Sequence, residues 1–176
     1  MQAPTQMNEL DDATLAFAEQ VFDSARNGDS SRLDQLLGQG MPPDLRNHAG
    51  DSLLMLASYH GHLAATRLLL EHGADPQLRN HRGHTPLAGA AFKGDLAMVE
   101  LLLEHGADVE SRCEDGKTAL MMAAMFNRTA VVTYLLAQGA DPHARDASGA
   151  TALTAARLMG AVDTEAMLRC DEGQSD

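Results

Sequence analysis

Several rows of glycine recur at a single spacing along this chain of 176 residues. Gly50, Gly83, Gly116 and Gly149 stand 33 apart, and so do Gly40, Gly73, Gly106 and Gly139. Gly28, Gly61 and Gly94 form a third row, which Asn127 and Gly160 continue. Leucine pairs keep the same step at Leu36-Leu37, Leu69-Leu70, Leu102-Leu103 and Leu135-Leu136. Independent rows with one period mark an array of repeats. A unit of this length is one supersecondary element that buries its apolar face only against its neighbours. Composition agrees: hydrophobic residues reach 44%, but aromatics are only 3% and Trp is absent, which suits thin layers of small and aliphatic side chains.

The residues around the rows read as helix ends. In Thr85-Pro86-Leu87 a hydroxyl stands at the N-cap before a proline at the first helical position, where no amide partner is lost. Ser52, Thr118 and Thr151 offer the same hydroxyl. Gly61 and Gly94 are expected to end the first helix of each unit in the left-handed conformation, with Asn127 as the next-best residue. Asp29 and Asp95 can cap the second helix, which Gly73, Gly106 and Gly139 then close. Ala57, Ala90, Ala123 and Ala156 let neighbouring first helices approach closely.

The segments HGADPQLRNHRGHTPLAGAAFKGD, HGADVESRCEDGKTALMMAAMFNR and QGADPHARDASGATALTAARLMGA follow one another in register. This pattern resembles the ankyrin repeat family, and in particular small, single-module bacterial members. The resemblance covers roughly residues 14–172. It implies an all-α ankyrin repeat solenoid of about five helix-turn-helix repeats, joined by turn or β-hairpin-like loops. The repeats divide as 14–46, 47–79, 80–112, 113–145 and 146–172, with an acidic segment at 1–13 and a tail at 173–176. The terminal repeats depart from the pattern as caps do. The first lacks the T-P-L turn and is expected to begin a longer helix near Asp11 or Asp12, with Leu15, Ala18, Val21, Phe22 and Ala25 on one face. In the last, Glu165 and Arg169 stand four apart and can pair on an exposed helix. The family's histidine in T-P-L-H is missing throughout; Met55, Ala88, Met121 and Thr154 occupy its slot. Loss of that histidine removes a link between loops, which methionine can replace by filling the space.

The formal net charge is -12, which argues against unspecific binding to nucleic acid or anionic membranes. Glu9, Asp11 and Asp12 near one end and Asp171, Glu172 and Asp176 near the other supply half of it, and the remainder favours a basic or neutral partner. Cys113 and Cys170 are the only cysteines, so neither a disulfide framework nor a zinc motif is present. The opening residues have no basic stretch followed by an apolar one, and no apolar run reaches membrane-spanning length. A soluble, cytoplasmic monomer is the expectation.

No phosphate-binding loop or nucleophile turn occurs, and no catalytic residue, cofactor or metal is expected. Of the eight histidines, His62, His72 and His105 stand where the repeat pattern accepts polar residues, while His48, His81 and His84 fall near turn tips too far apart to share one ion. Cys113 takes the slot held by Asn47, Asn80 and Asp146, where an exposed thiol is expected; plain substitution accounts for it more simply than redox sensing. Arg46, Arg79, Arg112 and Arg145 form a further row of period 33, either a ladder for acidic groups of a partner or an ordinary feature of the turns. The end of each first helix reads Tyr59-His60, Phe92-Lys93, Met125-Phe126 and Leu158-Met159. Three of the six aromatics fall there. They either pack between repeats or, as the resemblance implies for this part of the helix, face a concave groove and contact a partner.

The family resemblance thus implies a protein–protein interaction module that binds its partner through the groove and turn tips. Alternatives of the same class are an inhibitor or immunity-type protein covering an enzyme, and a delivered effector. An enzyme would need a pocket of clustered polar groups, for which so short a solenoid has little room.

Overall fold

The computed structural model describes residues 5–172, with side chains from 14 to 169. The charges at Glu9, Asp11, Asp12, Asp171, Glu172 and Asp176, the thiol of Cys170 and the tail 173–176 lie outside that description. Ten helices and no strand occur among the described residues: α1 (Thr5–Asn27), α2 (Ser30–Gly38), α3 (Leu53–Tyr59), α4 (Leu63–Glu71), α5 (Pro86–Lys93), α6 (Leu96–Glu104), α7 (Ala119–Met125), α8 (Thr129–Ala137), α9 (Ala152–Met159) and α10 (Val162–Glu172). Each odd-numbered helix packs against the next odd-numbered one, and each even-numbered helix against the next even-numbered one, giving an inner and an outer layer. Isolated antiparallel bridges, Arg46 with Ser52 and Arg112 with Thr118, give the connecting turns their hairpin character.

The caps sit where the residues require them. Ser52, Thr85, Thr118 and Thr151 accept from the amides of Met55, Ala88, Met121 and Thr154 at 3.1–3.3 Å. Asp29 and Asp95 cap α2 and α6, accepting from Arg32 and Met98. Gly94 ends α5 at φ 78°, and Asn127, the equivalent residue one repeat on, is the one non-glycine among the described residues with positive φ, at 56°. Its amide also works across the repeat boundary. Oδ1 accepts from the amides of Asp163 and Thr164, and Nδ2 donates to Asp163, so Asn127 caps α10 of the following repeat.

α1 begins at Thr5, ahead of the Asp11–Asp12 start read from the sequence. After Pro4 no glycine or proline interrupts the chain before Gly28, so nothing delays the helix. Val21 and Ala25 are buried, but Leu15 is 63% exposed, so the apolar face of α1 engages the stack only in its second half. The core repeats with the sequence. Leu36, Leu69, Leu102, Leu135 and Leu168 are buried at one position of the outer helices, and Ala57, Ala90, Ala123 and Ala156 at one position of the inner helices. At the C-terminal end Glu165 binds both Arg157 at 3.0 Å and Arg169 at 2.7 Å, which places ion pairs on the last repeat.

Asn127→Ala should lower stability by about 2–3 kcal/mol, combining left-handed strain with loss of a helix cap. Asn127→Gly removes the strain and should lose only about 1 kcal/mol. Urea unfolding of both variants separates the contributions: equal losses would mean that the left-handed strain carries no weight, and an unchanged Asn127→Gly variant would mean the same of the bridge to α10.

Candidate protein-binding groove

The groove arises from a gap in the repeat pattern. Where repeat two has Met55-Leu56 and repeat four has Met121-Met122, repeat three has Ala88-Gly89. Met55 and Met121 fill the slot of the family's missing histidine and are buried; Ala88 cannot reach as far. The lost volume leaves a hollow of about 410 Å³ over α3 and α5. Met55, Leu56, Ala88, Gly89 and Met122 line its apolar part. Tyr59 and Phe92 stand at the helix-end side, and Asp51, Asn80, Arg82 and His84 at the turn side. A Cβ placed on Gly89 would meet only the Tyr59 ring, at 3.4 Å, so the glycine backbone faces open space.

The helix-end residues meet in pairs. Lys93 Nζ lies 4.8 Å from the centroid of the Tyr59 ring, a cation–π contact between repeats. Phe92 and Phe126 pack edge to face at 4.5 Å. His60 touches Tyr59 edge-on and stacks on His62. Partial desolvation, then His62, Lys93 and Arg26, hold the His60 imidazole below its usual range, the direction that a basic neighbourhood imposes. Tyr59 is 42% exposed, and His60 and Lys93 are exposed as well. Phe92, Met125 and Phe126 are half-buried, so their rings serve the stack and the surface together. Leu158 and Met159 lie on α9, outside the hollow, at 77% and 52% exposure.

The arginine row is tied to the turns. Arg46 donates to the carbonyls of Gly50 and, in the next repeat, Arg79. Arg112 repeats this with Gly116 and Arg145, and Arg145 bonds Gly149 at 2.8 Å. Arg79 makes no such bond among the described residues. His62 Nε2 reaches the Arg26 carbonyl at 2.7 Å, while His72 and His105 bond carbonyls one helical turn back. Among the described residues no three His, Cys, Asp or Glu side chains gather closely enough to hold a metal ion.

Cys113 is buried rather than exposed, 5% accessible. The reason is the direction of its slot. Asn47, Asn80 and Asp146 turn inward there, each Oδ1 accepting from two amides of its own turn. Cys113 follows the same path without the acceptor. Burial, and then Asp115, push its thiol above the usual range, against weaker opposing effects of the Thr85 amide, Arg79 and Lys117.

Ala88 and Gly89 open the hollow; the sequence marks Ala88 as the small residue in the histidine's slot, but no aromatic or charge marks Gly89. The available signal was negative: Gly89 belongs to none of the glycine rows, and it stands mid-helix, where glycine weakens a helix.

Short paired helices in two layers, stacked end to end with a groove along the inner layer, define a repeat solenoid. This chain belongs to the ankyrin repeat family. The family model for ankyrin repeats in three copies matches residues 21–113, and a second, for ankyrin repeats in many copies, matches residues 102–156. The chain is also similar to an ankyrin repeat protein of Pseudomonas aeruginosa, 67% identical over 60 residues. That match spans 34% of this chain and 35% of the relative. Ankyrin repeats are generally protein–protein interaction modules and typically not enzymes. No described helix is long and apolar enough to cross a membrane.

Cys113 should react slowly with a maleimide in the folded protein at neutral pH, at least about tenfold slower than in urea, because the reactive thiolate is both scarce and covered. A Cys170→Ser background isolates the reading. Equal rates with and without urea would put the thiol at the surface.

Proposed function

We propose that this protein binds a protein partner through the groove along its inner helices, with Tyr59, Phe92, Lys93 and Phe126 as the central contacts. The observation that carries this reading is the hollow over Ala88 and Gly89, bounded by Tyr59 and Phe92. Apolar and aromatic side chains around a concavity are the usual core of a protein interface, and a few of them dominate its affinity. His60 and Met125 flank this centre, and Leu158 with Met159 extends the apolar surface towards the last repeat. The turn-edge arginines are the second candidate. Arg46, Arg112 and Arg145 are held by backbone carbonyls, which favours the inner helices as the primary contact.

Tyr59→Ala, Phe92→Ala and Phe126→Ala test the reading against a partner recovered by affinity capture from the native cell. Each should weaken binding by about 2 kcal/mol, roughly 30-fold, as for a central interface aromatic. Tyr59→Ala should leave the melting curve nearly unchanged, since the ring is partly exposed. Loss of binding on changing Arg46, Arg79, Arg112 and Arg145, with the aromatic variants still binding, would move the site to the turn edge. Unfolding of the aromatic variants without a separate binding defect would make those rings purely structural.

A further inference from the structure

We propose that the occupant of the hollow is an extended protein segment carrying an aliphatic side chain between carboxylates, a reading that rests on the groove assignment above. Its basis is where this acidic protein keeps its charge. The net charge is -12, yet of the inner helices only α1, at the end of the stack, contains Asp or Glu; α3, α5, α7 and α9, which form the groove, contain none. The only formal charges on these four helices are Lys93 and Arg157. Acid sits on α1, at Glu19 and Asp23, and on the outer layer, at Glu71, Glu100, Glu104, Asp163 and Glu165.

The turn of repeat three sharpens the contrast. Residues 79–84 read RNHRGH, with Arg79, His81, Arg82 and His84 and no acid. Asp51 is the one carboxylate lining the hollow, and it is engaged: Asn80 Nδ2 donates to it at 2.9 Å and Asn47 Nδ2 at 3.4 Å. The hollow therefore has an apolar middle with basic groups at both ends, Arg82 and His84 beside the turn and Lys93 with His60 beside the helix ends. A bound carboxylate at either end finds a cation that the protein's own acids leave available.

The dimensions set the pattern. α5 has 8 residues and is about 12 Å long. An extended chain crosses that distance in about four residues. A segment reading acid, spacer, aliphatic, spacer, acid therefore places its aliphatic side chain over Ala88 and Gly89 and its carboxylates near Arg82 and Lys93. A partner that is acidic at the contact reverses what the net charge alone implies, because screening confines charge effects to about 8–10 Å and the groove senses its own rim before the outer layer.

The test is selection of random dodecapeptides displayed on phage, panned on the whole protein. Binding of the enriched peptides is then measured by fluorescence anisotropy. Enriched sequences should show an aliphatic residue with acids spaced two or so residues to either side. Gly89→Leu restores the bulk that repeat two has at Leu56, and should weaken them at least about tenfold. Lys93→Glu should weaken them comparably, and peptides with Lys in place of the acids should regain binding to the Lys93→Glu, Arg82→Glu double variant. Gly89→Ala has room for its Cβ and should keep its affinity, which shows that the helix tolerates substitution. If Gly89→Leu does not fold, the charge swap decides. Enriched peptides that are neutral or basic, yet lost on Gly89→Leu, would overturn the acidic occupant and leave the groove standing. Peptides indifferent to Gly89→Leu, Tyr59→Ala and Lys93→Glu would overturn both readings. Absence of any enriched peptide would overturn the linear segment, while the aromatic variants still judge the groove through the captured partner.

Discussion

Everything in this molecule depends on burying one repeat's side chains against the next. The inner helices α3, α5, α7 and α9 have only 7 or 8 residues, and isolated helices shorter than about 12–15 residues are marginal in water. None of them could persist alone. They persist because the buried alanines at 57, 90, 123 and 156 let adjacent backbones approach, and because the leucines behind them close the outer layer. Each fully buried leucine contributes about 1.5–3 kcal/mol, so the stack is held by many equal steps and not by one centre.

Polar contacts fix the register that apolar burial alone would leave loose. Several run between residues 29–36 apart, one repeat along: Asn80 to Asp51, Arg46 to the Arg79 carbonyl, Arg128 to the Phe92 carbonyl, Asn127 to Asp163. Their chemistry differs from repeat to repeat while their geometry does not. At the start of the second helix, Asp95 caps its own helix, whereas His62 and Arg128 reach back to a carbonyl of the preceding repeat. These two links tie the starts of α4 and α8 to the end of the inner helix in the repeat before.

A regular array makes a surface of identical units, so a site needs a departure from regularity. Two departures coincide in repeat three: small residues in α5 where its neighbours carry Met and Leu, and a turn with bases but no acid. The first makes a hollow and the second gives its rim a sign. Neither affects the buried leucine and alanine rows, so the hollow and the core are built from different positions of the same helix.

The sequence by itself determined the period, the caps and the buried rows. These follow from local rules, such as glycine or asparagine at left-handed positions and hydroxyls at helix starts, which act within a few residues and so are legible in order along the chain. Only the tertiary structure decided what depends on the neighbouring repeat. Cys113 is covered because its slot turns inward against the adjoining turn, and no local pattern marks that direction. Phe92 meets Phe126, and Lys93 meets Tyr59, because stacking brings together side chains about one period apart. The hollow exists only as a difference between facing helices: Gly89 is a weak helix residue when read alone and an opening when Tyr59 and Met122 stand beside it.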